Sequence, residues 1–458
     1  MRRREFVAGA TALALGGADA FAAAGLTSGQ RRALRDAVRG PVHFPGGHGY
    51  NAARQVFNRR FDGVKPPAVV RVRDAADVVA AVKWADRFDV PLVARSGGHS
   101  YIGQSTSSRA VVIDLGGMNR VSLSGTTATL GPGARNLQVY ASLAARGRAI
   151  PSGSCPTVAV GGLVLGGGVG LAGRAYGLTL DRVRSFDVVT ADGRRRRVTG
   201  DDDLMWALRG GGGHFGIVTA IRLSTLAAPS PSWFRITYPR GSREEALAAW
   251  ESLNAPRELT SIVTLSSSGA STFGQFLGSE SALRRIVAPL SNVAGARLST
   301  GSGTWLALQK RWAGCADGGL PACLRFQPTT FDAASVYVSH QLSAAGRAAF
   351  AKAADTGATL ICDAYGGAIN EVAAGATAFV HRTARFSVQI LSYTNVSTAR
   401  SRVNAARKLI APFGNGQAYQ NYPDLDQPGP LRAYYGINLA RLRRIKHTYD
   451  PGGRFSAF

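Results

Sequence analysis

Three glycine-rich segments constrain this chain more than any other feature. They are Gly97-Gly98 beside His99, the stretch from Gly161 to Gly173 just after Cys155, and Leu208-Arg-Gly-Gly-Gly-Gly-His-Phe-Gly216. Strand-like sequence accompanies these loops, which sets them apart from one flexible polar linker. Backbone N–H groups unshielded by side chains can together wrap one long anionic ligand and cradle a pyrophosphate. The 56 glycines carry no G-X-Y period, so a collagen-like rod is excluded. A 458-residue chain that is 45% hydrophobic and 18% charged can bury a large core and suits two domains of ordinary size.

Around these loops the pattern alternates between strand and helix. Val69 to Val72 reads as a strand, Asp77 to Phe88 as an amphipathic helix, and Pro91 to Ala94 as a second strand running into the first glycine loop. This β-α-β order puts the loop at a strand's carboxyl end, where α/β proteins bind ligands. Further strands are expected at Ala110 to Asp114, Ala128 to Leu130, Asp187 to Thr190 and Gly216 to Leu223. Pro229-Ser-Pro-Ser232 marks a boundary. Beyond it, alternating strands such as Phe234 to Tyr238, Ser261 to Leu265 and Phe386 to Ser392 are interleaved with alanine-rich helices, as in an antiparallel sheet covered on one face.

Several function classes fall away. The net charge of +26 invites a nucleic-acid reading, but the arginines are scattered, and the run Arg194 to Arg197 follows the turn Ala191-Asp192-Gly193 as a solvated hairpin end. No lysine follows a glycine, so there is no phosphate loop of the G-x-x-x-x-G-K type, and neither G-x-S-x-G nor H-E-x-x-H occurs. Gly168-Val-Gly170-Leu-Ala-Gly173 matches G-x-G-x-x-G, but no buried strand precedes it and Gly177 interrupts the segment after it, so a nicotinamide-binding fingerprint is rejected. The cysteines at 155, 315, 323 and 362 contain no C-x-x-C pair, and no metal site is expected. Cys315 and Cys323 flank a turn-rich segment and suit a local disulfide, whereas Cys362 reads as an inert buried thiol. At the start, Arg3-Arg4-Glu5-Phe6-Val7 and the apolar Val7 to Leu15 fit a twin-arginine export signal over residues 1–24. The apolar stretch is too short to span a bilayer, and a soluble, exported mature protein with no membrane attachment is expected.

Several motifs then resemble one family in the right order. Arg95-Ser-Gly-Gly-His99-Ser-Tyr101, Gly153-Ser-Cys155-Pro-Thr-Val-Ala-Val-Gly-Gly162, Arg174-Ala-Tyr-Gly-Leu-Thr-Leu-Asp181 and the ending Tyr434-Tyr-Gly-Ile-Asn438 through Phe455 look like the FAD-linked oxidases of the berberine bridge enzyme type. The resemblance runs from about residue 40 to the end. It implies an α+β fold: a two-part FAD-binding domain of the p-cresol methylhydroxylase type, residues 35–230 and 410–458, with an inserted substrate domain on an antiparallel sheet, residues 231–409.

By the same resemblance His99 matches the histidine bonded to the flavin 8α carbon, and Cys155 the cysteine bonded to flavin C6. Both are nucleophiles able to attack an electrophilic ring. Arg95, Ser96, Gly97, Gly98, Ser100, Tyr101, Val158, Gly162, Asp181, Gly216, Ile217, Val218 and Asn438 fall where the family binds FAD, Val158 near its oxygen-access position. Tyr422 matches the tyrosine many members use as catalytic base. Its task is to take a hydroxyl proton while hydride leaves for flavin N5, and a phenol depressed by its surroundings suits that role. Gln389 falls where berberine bridge enzyme carries an acidic base, and an amide cannot do that work, so Gln389 is expected to orient substrate. The resemblance therefore implies oxidation of an alcohol or hemiacetal carbon in a sugar or glycosylated natural product, with O2 as acceptor and no nucleic-acid partner. A dehydrogenase or oxidative-cyclisation enzyme with poor O2 reactivity is the alternative. Export by the twin-arginine route, which carries folded proteins, suits a chain that acquires its cofactor first.

Overall fold

The computed structural model describes residues 25–455. The expected signal segment, residues 1–24, lies outside the described residues. Strands β1 (Val42–His43), β2 (Val69–Arg71), β3 (Leu92–Arg95) and β4 (Val111–Asp114) form one sheet in the order β1-β2-β4-β3. β4 slots between β2 and β3 and runs parallel to both. Helix α1 (Ala75–Arg87) connects β2 to β3. Its Asp74 cap accepts from the backbone of Ala76 and Asp77, and it buries Val78, Ala81, Val82 and Ala85. Such a cap contributes about 1 kcal/mol. The parallel strands deliver Arg95, and with it the first glycine loop, to the carboxyl edge of the sheet.

A second sheet is antiparallel, with β5 (Val121–Ser124), β6 (Thr127–Leu130), β7 (Val183–Val189), β8 (Arg195–Thr199) and β9 (Ile217–Ser224) in the order β5-β6-β9-β7-β8. The arginine run lies at the expected hairpin end, with Arg194, Arg195 and Arg197 exposed. Only Arg194 belongs to the turn, while Arg195 to Arg197 open edge strand β8, where Arg196 and Arg197 each reach a carboxylate at 2.8 Å, Asp192 and Asp187. Opposite charges so placed support the strand pair rather than a free basic patch. Helices α2 (Asn136–Ala144) and α3 (Val160–Gly166) pack on this region through Leu137, Tyr140, Leu143, Val160 and Val164.

The third sheet has seven antiparallel strands: β10 (Ser232–Pro239), β11 (Leu259–Ser266), β12 (Gly269–Phe276), β13 (Arg297–Ser302), β14 (Asp332–Val338), β15 (Thr359–Ala364) and β16 (Phe386–Ser392), ordered β13-β10-β12-β11-β15-β16-β14. Period-two alternation decides which side chains face what. Leu360 and Cys362 of β15, and Phe386, Val388 and Ile390 of β16, enter a core shared with helices α4 (Arg243–Ser252), α5 (Glu280–Ser291), α6 (Ala344–Ala354) and α7 (Val396–Ile410). The intervening Ile361, Asp363, Gln389 and Leu391 face the other way, into a cleft.

After α7 the chain returns to the first sheet. Helix α8 (Leu439–Tyr449) places Lys446 so that its ammonium donates to the His214 carbonyl at 2.7 Å and to Asp450 at 2.5 Å. The backbone N–H of Leu92 donates to Arg454, and Phe455 joins the core around Val111 and Ile113. Cys315 and Cys323 are disulfide-linked with Cα atoms 5.8 Å apart, and Cys362 is a fully buried free thiol. Among the described residues no helix is long and apolar enough to cross a membrane, and no cluster of metal-ligating side chains occurs.

Candidate active site

Glycines let the three loops close onto one another. A Cβ on Gly97 would sit 2.7 Å from the Ala159 nitrogen, and one on Gly161 would sit 2.3 Å from Ser96 Oγ, so only bare backbone lets the first and second loops interlock. The N–H groups of Gly210 and Gly212 in the third loop both donate to the Leu165 carbonyl, at 3.0 and 2.9 Å. The Gly168 N–H, in turn, donates to the Tyr419 hydroxyl at 3.1 Å, which fastens the second loop to the segment carrying Tyr422.

The cleft enclosed by these loops and the large sheet measures about 490 Å³, within the range of about 300–1,000 Å³ usual for ligand pockets. Of the residues singled out from sequence, Ser96, Gly97, Gly98, His99, Ser100, Tyr101, Cys155, Val158, Gly162, Gly216, Val218, Gln389 and Tyr422 line it. Four others do not. Arg95 is buried against Asp114 at 3.1 Å, and Ile217 is core of β9. Asp181 caps Leu178 and pairs at 2.7 Å with fully buried Arg382, while Asn438 donates to the carbonyls of Ala374 and Thr377. These polar side chains are occupied in holding loops together.

His99 stacks on Phe57 with ring centroids 4.1 Å apart, and its Nε2 lies 3.1 Å from the Thr157 hydroxyl. Burial, reinforced by the Arg135 charge, lowers its pKa to about 4. The ring is therefore neutral at physiological pH and keeps one nitrogen lone pair available. Cys155 is open to solvent on the cleft side although protein surrounds it elsewhere. Burial pushes its thiol up, partly offset by the backbone N–H groups of Thr157 and Val158.

At the other end of the cleft the Gln389 amide donates to the Tyr101 hydroxyl at 2.5 Å, and Tyr101 stacks on Tyr422 with planes 6° apart and centroids 5.5 Å apart. Tyr419 meets Tyr422 edge-on at 4.8 Å. The expectation of a depressed Tyr422 phenol is overturned: burial first, then the neighbouring Asp363 carboxylate, push it well above its ordinary value. Asp363 itself is raised to about 7 by burial, with the Ser387 hydroxyl opposing. Tyr422 therefore holds its proton at neutral pH, and the Asp363 carboxyl, which lines the same cleft, titrates near neutral pH. Sequence reasoning assigns Asp363 no role. The signal that marks it is a lone carboxylate at the cleft-facing phase of an apolar strand. Phe57, Phe331, Tyr393 and Gln420 also line the cleft, and nothing in their local sequence marks them.

The donor set fits a flavin dinucleotide. Gly162 lines the cleft, yet a Cβ there would meet no protein atom within 4 Å, so protein packing leaves that space to a ligand. Glycine backbone from all three loops, at Gly97, Gly98, Gly162, Gly212 and Gly213, lines the cavity with no side chain to bar a dinucleotide, and His99 and Cys155 share that cavity with the Tyr422 end. Fold and cleft together define a flavin-dependent oxidoreductase. A family model described as FAD binding domain matches residues 66–199, and one described as berberine and berberine like matches residues 418–457. The chain belongs to the berberine bridge enzyme-like FAD-linked oxidases. The solved BBE-like 1 of Physcomitrella patens is similar with a TM-score of 0.89 and 31% identity, covering 93% of this chain and 97% of that one. Chitooligosaccharide oxidase of Gibberella zeae is 29% identical over 454 residues, 91% of each chain. A glucooligosaccharide oxidase of Acremonium strictum, whose crystal structure is described as revealing a novel flavinylation, has a TM-score of 0.84 at 28% identity, covering 93% of this chain and 96% of that one.

Proposed function

We propose that this protein is an exported sugar oxidase that removes hydride from an alcohol or hemiacetal carbon of a sugar or glycosylated natural product, with O2 reduced to H2O2. The observation that carries the reading is the single cleft that three glycine loops, two nucleophiles and a stacked, half-buried tyrosine pair share. Similarity to oligosaccharide oxidases supports the sugar, and the N-terminal twin-arginine motif supports export.

His99 and Cys155 would each hold the cofactor covalently, and Ser96 to Tyr101, Gly162, Gly216 and Val218 would contact it. Bound FAD supplies the hydride acceptor and the route of electrons to O2. The chain supplies position and proton handling. Gln389 is fixed through Tyr101, which leaves its carbonyl oxygen to accept from a substrate hydroxyl. Tyr422 takes the proton of the reacting hydroxyl at its phenol oxygen while Asp363 relieves the phenol of its own. The apolar wall of Phe331, Ile361 and Leu391 limits water at the reacting carbon.

Mass spectrometry of acid-precipitated protein tests the tethers. His99→Ala and Cys155→Ala should each keep the mass of one flavin, and the double variant should release all colour. Flavin retained in the double variant would remove these residues from the assignment. A screen of sugars and glycosides for peroxide release tests the reaction.

A further inference from the structure

One buried hydroxyl reaches both nucleophiles. The ring of His99 is fixed on two sides, face-on by Phe57 and edge-on by Phe326 with centroids 6.0 Å apart at 89°. Packing leaves open which ring nitrogen carries the proton, and that choice falls to the 3.1 Å contact between Nε2 and the Thr157 hydroxyl. Thr157 is 5% exposed. It sits two residues after Cys155, in a turn held by the start of α2, where the Asn136 side-chain amide donates to the Cys155 carbonyl at 3.2 Å and the Asn136 N–H to the Val158 carbonyl at 2.9 Å. Burial opposes the Cys155 thiolate, while the N–H groups of Thr157 and Val158 and the Thr157 hydroxyl favour it. The other charged or titratable groups near the pair are Arg135, which adds to burial in acting on His99, and Tyr101 and Tyr393, which lie close enough to feel Cys155.

A hydroxyl donates and accepts at once, whereas a thiolate only accepts. When the Thr157 proton goes to sulfur, its oxygen takes the Nε2–H of His99, and the imidazole lone pair then stands on Nδ1. We propose that Thr157 is a positioning residue for both tethers: its oxygen accepts from His99 Nε2 and its O–H donates to the Cys155 thiolate, so that each nucleophile meets the flavin in its reactive form. The inference rests on the reading that His99 and Cys155 hold FAD, and adds what prepares them. In forming each tether the residue gives up its N–H or S–H proton and the flavin one C–H proton, and one C–N or C–S bond forms. The flavin keeps the electron pair as its reduced form, and O2 takes that pair with two protons to give H2O2.

The test follows attachment itself: full-length protein prepared under riboflavin limitation is mixed with saturating FAD, and the flavin that stays with the acid-precipitated chain is measured over time. Each tether is read alone, in a Cys155→Ala or a His99→Ala background. Thr157→Val keeps the shape and loses the hydroxyl, so attachment at about pH 7 should slow about tenfold in both backgrounds, the factor expected when one hydrogen bond to a reacting group is removed. In the His99→Ala background the pH profile of attachment through Cys155 should also move up by about one unit, because the thiolate has lost a donor, and a merely structural role would not move it. Thr157→Ser should restore rate and profile to within about twofold, since the hydroxyl and not the methyl group acts. Attachment at the wild-type rate in either background of Thr157→Val, or slow attachment in Thr157→Ser, overturns the inference alone. A wild type in which neither the His99 peptide nor the Cys155 peptide carries flavin overturns the tether reading and this inference with it.

Discussion

Asp363→Asn should make the protein more stable at alkaline pH while slowing its chemistry. Burial holds the Asp363 carboxyl at about 7 instead of the ordinary 3.8. At 1.36 kcal/mol per pH unit, that difference corresponds to about 4 kcal/mol, an upper figure because the side chain borders an open cleft. A raised folded-state pKa means that the folded state binds the proton more tightly than the unfolded state. The cost is absent below about pH 4, grows as the unfolded carboxyl ionises alone, and is complete above about pH 7. The neutral amide keeps the shape and carries no such cost. Equilibrium denaturation at pH 4 should therefore find the variant and wild type alike, and at pH 8 should find the variant more stable by up to about 4 kcal/mol. Stopped-flow reduction by substrate should rise through about pH 7 in wild type as Asp363 ionises. In the variant it should be slow and flat, with a loss of about 10²-fold or more, as expected when a proton acceptor is removed. A variant less stable than wild type at pH 8, or one that keeps the rise near pH 7, would refute the assignment of Asp363 as the buried acceptor.

Two further outcomes are expected. Tyr422→Phe should lower the rate of substrate reduction by about 10²–10⁴-fold with the flavin absorbance intact, read by anaerobic stopped flow; an unchanged rate would remove the phenol from the mechanism. Arg382→Ala should cost about 3–5 kcal/mol, measured by denaturant unfolding, because it strands Asp181 beside the second glycine loop without its buried partner; a change below about 1 kcal/mol would show that Asp181 finds water instead.

Much of the site was legible because its carriers are local. The glycine loops, the strand entering Arg95 and the alternating strand Phe386–Ser392 depend on residues close in sequence. The arginine run shows where local reading stops: the turn and the exposed hairpin end are legible, but of the carboxylates that hold Arg196 and Arg197, one comes from the facing β7. Asp181 and Asn438 lie in motifs shared with a flavoprotein family, and yet their side chains hold the protein's own loops in place. A motif gives residue types in order and does not give the direction in which each side chain turns.

The sequence by itself determined the family, the three loops, the two nucleophiles and the strand phase that turns Gln389 away from the helix-covered core, since each rests on short-range pattern and backbone sterics. Only the tertiary structure decided that Tyr422 is pushed up rather than depressed, that burial raises the nearby Asp363 carboxyl to about 7 and that Tyr393 stands at the mouth. The physical reason is that burial and charge act through space: the groups that set a proton's affinity here come from strands and loops far apart in the chain, and their effect exists only once folding has removed water from between them.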